Sequence, residues 1–157
     1  QKSFGYHTYD KTIKVQNSDI YDVASLTKIM ATLPNVMVQY DHQKINLETT
    51  LGTMLPIFKN SNKATINFKD LLSHYAGLAA GIPFYKATMD KSSFPSEVYF
   101  RKISEEQFSK KMADSLFIRN DFCDTIMKMI VKSKIALKKE YKYSDLTFMI
   151  LKDYYYY

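Results

Sequence analysis

The sequence predicts a mixed α/β domain, and three observations carry that expectation. Apolar residues nearly alternate over residues 4–9 and 12–15, a long run at helical spacing follows Ser25, and a second amphipathic run covers residues 124–135. A period of two marks strands and a period of 3.6 marks helices. The 157 residues suffice for one domain with a real core, since domains of about 100–150 residues are typical. A hydrophobic content of 46%, with 13 Tyr and 10 Phe, excludes wholesale disorder.

Taken in order, residues 4–9 and 12–15 read as a hairpin turning at Asp10-Lys11. Residues 25–42 read as a helix, with Ile29, Met30, Leu33, Val36, Met37 and Tyr40 on a buried face and a kink expected at Pro34. Asn67 is placed to cap a short helix through Ser73, ended by Gly77. Residues 79–95 hold two of the four prolines and Gly81 and read as irregular. Ser104-Glu105-Glu106-Gln107 has the pattern of a capping box opening a helix toward Leu116. Residues 124–135 form an amphipathic helix through Ile126, Met127, Ile130 and Val131. Ser144 opens the last helix, with Leu146, Met149 and Ile150 inward. The tyrosine run at 154–157 is a low-complexity tail with no function assigned.

Two short clusters carry chemistry. In Ser25-Leu26-Thr27-Lys28, a serine and a lysine three apart at a helix start share one face. The amine then reaches the hydroxyl and turns an inert alcohol into a nucleophile, provided the lysine is neutral part of the time. The peptide dipoles of a helix start favour developing negative charge there. The plain alternative is a serine near a helix start and a lysine on its solvated face. The second cluster is Tyr143-Ser144-Asp145, which opens the last helix.

Residues 20–30, IYDVASLTKIM, resemble the nucleophile helix of the serine β-lactamase-like family, which includes class C β-lactamases, DD-peptidases (penicillin-binding proteins) and related esterases. Lys44-Ile45-Asn46-Leu47-Glu48 and residues 51–56 are similar to that family's turn after the helix and its L-P segment. Ile66 through Leu78 resembles its L-L-x-H-x-x-G-L signature, and Tyr141 through Leu146 its Y-S-N element. These landmarks fall in the family's order, and the resemblance covers most of the chain, from about residue 4 to residue 153, in a partial domain set at residues 1–153. The wording of residues 4–11 and 116–124 is similar to the β-lactamase-related domains of Bacteroidetes-type bacteria, which often follow a glycoside hydrolase family 3 domain.

The resemblance implies a three-layer β-lactamase/DD-peptidase-like fold, present as the N-terminal strands and a mostly helical part, with residues 79–140 a helical insertion walling the cleft. It implies acyl transfer to Ser25 from an amide or ester: a peptidoglycan peptide, a β-lactam or an ester. Lys28 and Tyr143 would share the proton traffic, Asp145 would orient Lys28, and His74 and Gly77 would be structural. It also implies a periplasmic or cell-envelope location. Two departures stand out. Asp145 replaces a common asparagine, and an ionised carboxylate accepts hydrogen bonds without donating them. Held by Asp145, Lys28 would favour its ammonium form, opposing a role as neutral base. No K-T-G or H-x-G triplet follows the tyrosine motif, so the chain reads as a fragment whose C-terminal sheet strands are missing. The alternative to an enzyme is a catalytically silent binding or structural domain with the same fold.

The remaining features argue against other classes. The formal charge of +6 is spread along the chain, densest at Lys110-Lys111 and over residues 128–142. Without a recognition motif it indicates a solvated basic face rather than nucleic-acid binding, or a field that attracts acidic cell-wall peptides. His7 and His42 lack partners at metal-ligand spacing, so no metal or other cofactor is expected. One cysteine, Cys123, excludes an internal disulfide. The methionines Met30, Met37, Met127, Met129 and Met149 read as core. No apolar run reaches about 18 residues, so no transmembrane helix is expected.

Overall fold

The computed structural model describes residues 1–156, in two units: Gln1–Lys44 and a second that begins at Ile45. In the first unit the N-terminal segment folds back on itself, but not as two strands. A single antiparallel bridge joins Tyr6 to Lys14, flanked by bonds from His7 N–H to Ile13 O and from Val15 N–H to Gly5 O. Gly5 and Lys11 both adopt positive φ, +79° and +57°, which ends extended pairing on either side. Phe4, Tyr6 and Ile13 are exposed, so the alternation covers no core. A two-stranded ribbon without a packed face is marginal in water.

The predicted helix starting near Ser25 forms, with a change of type. Lys28–Thr32 is a π-helical turn, closed by Leu33 N–H to Lys28 O, and α1 follows over Leu33–Asp41 with Pro34 in its first turn. In a continuous α-helix the Pro34 ring would clash with the carbonyl four residues back, at Met30. The wider turn accommodates the ring, so the expected kink is taken up as a π-turn. The burial expected for this helix is corrected by the structure. Val36 is the buried residue of α1, whereas Ile29, Met30, Met37 and Tyr40 are 58, 66, 58 and 51% exposed. An apolar period marks a face; it does not supply what covers it.

The second unit holds the main core. Leu51 and Leu55 come from α2 (Leu51–Met54) and its end, and Phe58 from the 3₁₀ turn Pro56–Phe58. Leu71 comes from α3 (Phe68–Leu72), Met127 and Ile130 from α4 (Phe122–Lys132), and Leu146 and Ile150 from α5 (Leu146–Tyr156). These residues form one cluster with Ile66, Ala76 and Leu78. Their spacing is the i, i+3, i+4 of helices that bury one stripe. Met149, expected inward, is 39% exposed, and Thr147 and Leu151 are buried in its place. α3 begins as predicted: the Asn67 side chain accepts the Asp70 N–H at 2.8 Å, satisfying an otherwise orphaned donor.

Residues 79–140, expected to be helical, contain one α-helix, α4, together with the 3₁₀ turn Phe84–Thr88 and a small sheet. β1 (Phe100–Arg101), β2 (Lys110–Ala113) and β3 (Leu116–Ile118) are antiparallel in the order β1-β3-β2. The helix expected from Ser104 does not form. Glu105 and Phe108 pair with each other instead, Phe108 is buried at 6% exposure, and the Arg101 guanidinium lies 4.2 Å from its ring centroid. The β2–β3 turn then passes through Ser115 at φ +53°. A local capping signal is overridden by burial of Phe108 and pairing across the hairpin.

α5 runs on to Tyr156, and Tyr154 packs edge-to-face on Phe68 at 6.0 Å. Of the predicted tyrosine tail, Tyr157 lies outside the described residues. Among those residues no helix is long and apolar enough to cross a membrane.

Lys63 is a buried cation that sequence reading passed over. Its side chain is fully buried, and its ammonium donates to Asn62 Oδ1 at 2.8 Å, Val131 O at 3.1 Å and Ser133 O at 2.5 Å. It therefore caps the C-terminal end of α4, where carbonyls lack helical partners. Burial pushes its pKa below the ordinary lysine value. Between the folded and unfolded values the unfolded chain binds more protons, so stability rises with pH through that window. Lys63→Met leaves the carbonyls unsatisfied and is expected to cost about 1–3 kcal/mol near neutral pH. The gap between the two proteins should widen as pH approaches 10.5, because the wild type alone sheds a buried charge. Urea melts at neutral and alkaline pH measure this; a narrowing gap would refute it.

Candidate active site

Ser25 and Lys28 lie in the first unit, and the structure brings them together. The chain enters through an Asx-type turn in which Ala24 N–H donates to Asp22 Oδ1 at 2.7 Å. Ala24 has φ +43°, a region that residues with a Cβ seldom occupy. Turn bonds from Leu26 N–H to Val23 O, Thr27 N–H to Ala24 O and Lys28 N–H to Ser25 O start the helix. This places Lys28 Nζ 3.1 Å from Ser25 Oγ, donating to it. Ser25 is exposed and Lys28 half-buried. Asp22 and the left-handed Ala24 were not singled out in the sequence. The Asp-x-Ala spacing carries the Asx turn, but the positive φ has no sequence signal at an alanine.

The expected Ser–Lys contact is therefore present as geometry. A lysine at this distance either donates to the serine oxygen as an ammonium or accepts its proton as a neutral amine. The π-turn opens at Lys28 itself. Turns of this type are found frequently at functional sites.

Tyr143, Asp145, His74 and Gly77 lie in the second unit, gathered around the end of α3. Ser73 N–H bonds to Lys69 O, His74 N–H to Leu71 O at 3.3 Å, and Tyr75 N–H to Asp70 O at 2.9 Å. With His74 at φ +61°, this is a Schellman ending whose left-handed position is usually glycine or asparagine. His74 is half-buried. Its Nδ1 accepts the Ser144 N–H at 3.1 Å, and its carbonyl accepts the Lys142 N–H at 2.9 Å. The ring lies against Tyr143, with centroids 4.6 Å apart and planes at 36°.

Gly77 is required on two counts. Its φ is +69°, and a Cβ there would come within 3.1 Å of Ile135 Cγ1 and 3.2 Å of Ala136 O. The Gly77 carbonyl accepts the Ala136 N–H at 2.9 Å. The tyrosine motif is fixed by its backbone and by Ser144, whose hydroxyl donates to Ala79 O at 2.7 Å and accepts the Leu146 N–H at 3.2 Å. Asp145 N–H donates to Ala80 O, while the Asp145 carbonyl accepts from Phe148 and Met149 N–H. Asp145 therefore sits immediately before α5, where a carboxylate is favoured by the helix dipole. That gives this acid a local structural reason besides any bond to a lysine.

His7, isolated in the sequence, meets Asp19, with Nε2 and Oδ2 2.9 Å apart. Asp19 also accepts the Gln16 N–H at 2.6 Å; that bond, then His7, holds its carboxyl below the usual range. The pair ties the N-terminal turn to the segment leading to Ser25. Among the described residues no group of three His, Cys, Asp or Glu has the arrangement of a metal site.

A serine hydroxyl bonded by a lysine one turn along a helix start defines a serine–lysine site. The chain belongs to the beta-lactamase family, whose pattern matches residues 1–153. It is similar to the protein flp of Staphylococcus aureus. Strain MW2's is 28% identical over 100 residues, 62% of this chain and 20% of that protein. Strain NCTC 8325's is 26% identical over 112 residues, 69% of this chain and 22% of that protein. The chain thus spans about a fifth of the length of the curated relatives it matches. No solved structure matches it.

Proposed function

We propose that this chain contributes the nucleophile to a serine acyl-enzyme hydrolase or transferase acting on an amide or ester. The observation that carries the reading is the 3.1 Å bond between Lys28 Nζ and Ser25 Oγ, in a member of the beta-lactamase family. Ser25 Oγ attacks the substrate carbonyl and its proton passes to Lys28. Tyr143 relays that proton to the leaving group as the C–N or C–O bond breaks, and water or an acceptor amine then releases the acyl group from Ser25. The Ser25 N–H serves as one donor to the oxyanion, and Asp145 orients Lys28. His74 and Gly77 hold the tyrosine motif in place.

Peptidoglycan peptides, β-lactams and simple esters are the substrate classes of this reading, and the cell envelope its location. A glycoside hydrolase family 3 domain in the same protein belongs to it on the resemblance of residues 4–11 and 116–124.

Covalent labelling tests the proposal. A fluorophosphonate or a fluorescent penicillin is expected to attach at Ser25, located by peptide mass spectrometry, and Ser25→Ala should remove the label. Label found elsewhere, or retained in Ser25→Ala, would reject the assignment.

A further inference from the structure

We propose that His74 is a positioning residue whose uncharged ring sets the backbone of Tyr143-Ser144-Asp145, and that protonating the ring releases this segment. The inference rests on the reading above only in taking Tyr143 to be part of the site.

The geometry makes two independent points. A backbone N–H donates and cannot accept, so the 3.1 Å bond from Ser144 N–H to His74 Nδ1 requires a lone pair on Nδ1 and places the ring proton on Nε2. A second proton would occupy Nδ1 and set two donors against each other. The other point is conformational. His74 fills the left-handed position of a Schellman ending, at φ +61°, where glycine or asparagine carries no comparable strain. A capping role alone gives no reason for an imidazole. The side chain explains it: one edge accepts the Ser144 N–H, and the ring lies 4.6 Å from that of Tyr143.

The segment so held has further anchors in its backbone and in the Ser144 hydroxyl. Lys142 N–H bonds to the His74 carbonyl, while Ser144 Oγ and Asp145 N–H bond to the carbonyls of Ala79 and Ala80. Of these contacts only the one through Nδ1 changes with a proton. Titratable groups against the ring include the phenols of Tyr143 and Tyr141, the latter at 6.0 Å, with Tyr75 beyond Tyr141. On α5 the neighbour is the uncharged Phe148, 5.9 Å away, with Lys152 and Asp153 further along. α3 carries Lys69 and Asp70, the latter paired with Lys139. Lys142 and Asp145 lie on the held segment itself. An imidazole is the side chain whose ordinary value lies between pH 5 and 8, and the bond through Nδ1 is the one that a ring proton would break.

Three variants separate this from a capping role. His74→Asn keeps an acceptor and tolerates the left-handed backbone but does not titrate. His74→Gly relieves the backbone and loses the acceptor. His74→Gln supplies an acceptor on a longer arm. The Ser25 acylation rate by a fluorescent penicillin, followed from pH 5 to 8, is expected to fall at least tenfold on the acid side in the wild type. That limb should be absent in His74→Asn, and His74→Gly should be slow throughout. An independent readout needs no activity: the Ser144 amide in ¹⁵N–¹H spectra should shift with the His74 ring titration in the wild type and not in His74→Asn. A Ser144 amide indifferent to His74 titration overturns the proposal. So does an unchanged acid limb in His74→Asn, or a His74→Gly protein as fast as wild type. Failure of Ser25 to label would reject the nucleophile while leaving the coupling of His74 to Ser144 measurable by the spectra.

Discussion

Lys28→Ala is expected to slow acylation of Ser25 by about 10²–10⁴-fold, the contribution typical of a positioned proton carrier. The Lys28 amine lies 3.1 Å from Ser25 Oγ, within reach of the proton that leaves the hydroxyl. Lys28→Arg sharpens the test, because a guanidinium keeps the positive charge and cannot act as a base. If the lysine works as a neutral amine, arginine should be as slow as alanine. A rate restored by arginine would show that the charge, not the proton transfer, is what the site requires. Tyr143→Phe is expected to lower the rate comparably, with Km for the probe moving less than kcat, since the phenol acts on the proton rather than on binding. Stopped-flow acylation with a chromogenic cephalosporin measures all three variants.

The second large effect concerns the core. Phe58 is fully buried and belongs to the cluster that joins α2, α3, α4 and α5. Truncating a buried aromatic to alanine removes its transfer free energy and leaves a cavity, together about 3–5 kcal/mol. Phe58→Ala should therefore lower the urea midpoint steeply. Phe94→Ala, at a residue 67% exposed, should change stability by no more than about 0.5 kcal/mol. Similar midpoints for the two variants would mean that the packing around Phe58 contributes little to folding.

Local signals were legible where one side chain satisfies one backbone group. Asn67 caps α3 through a bond to Asp70 N–H, and Ile126, Met127 and Ile130 give α4 its inward stripe. Both follow from spacing and from the chemistry of a short amide. The Ser104–Gln107 pattern failed because its outcome depends on partners far along the chain. Phe100 pairs with Ile118 and Lys110 with the same residue, and no short window contains that information. The stretch after Ser25 was read correctly as helical and incorrectly as buried, since periodicity is silent on what lies opposite. Of the site, the Ser25–Lys28 contact followed from helical geometry alone. The acceptor role of His74 Nδ1 toward residue 144 did not, because it spans seventy residues and depends on a left-handed backbone.

The π-turn has a consequence for the arithmetic of the nucleophile helix. A π-turn takes in one more residue than an α-turn, so a helical wheel drawn from Leu26 to Tyr40 slips by about one position, roughly 100°. Ile29 and Met30 therefore belong to a different azimuth from Leu33, Val36 and Met37, and the single stripe read from spacing is two stripes out of phase. Ser25 and Lys28 are keyed to the first. Deleting one residue between 29 and 32 would bring the wheel back into phase only by pressing the Pro34 ring against a carbonyl. The proline thus works as a ratchet that keeps the helix start rotated relative to the rest of its own helix.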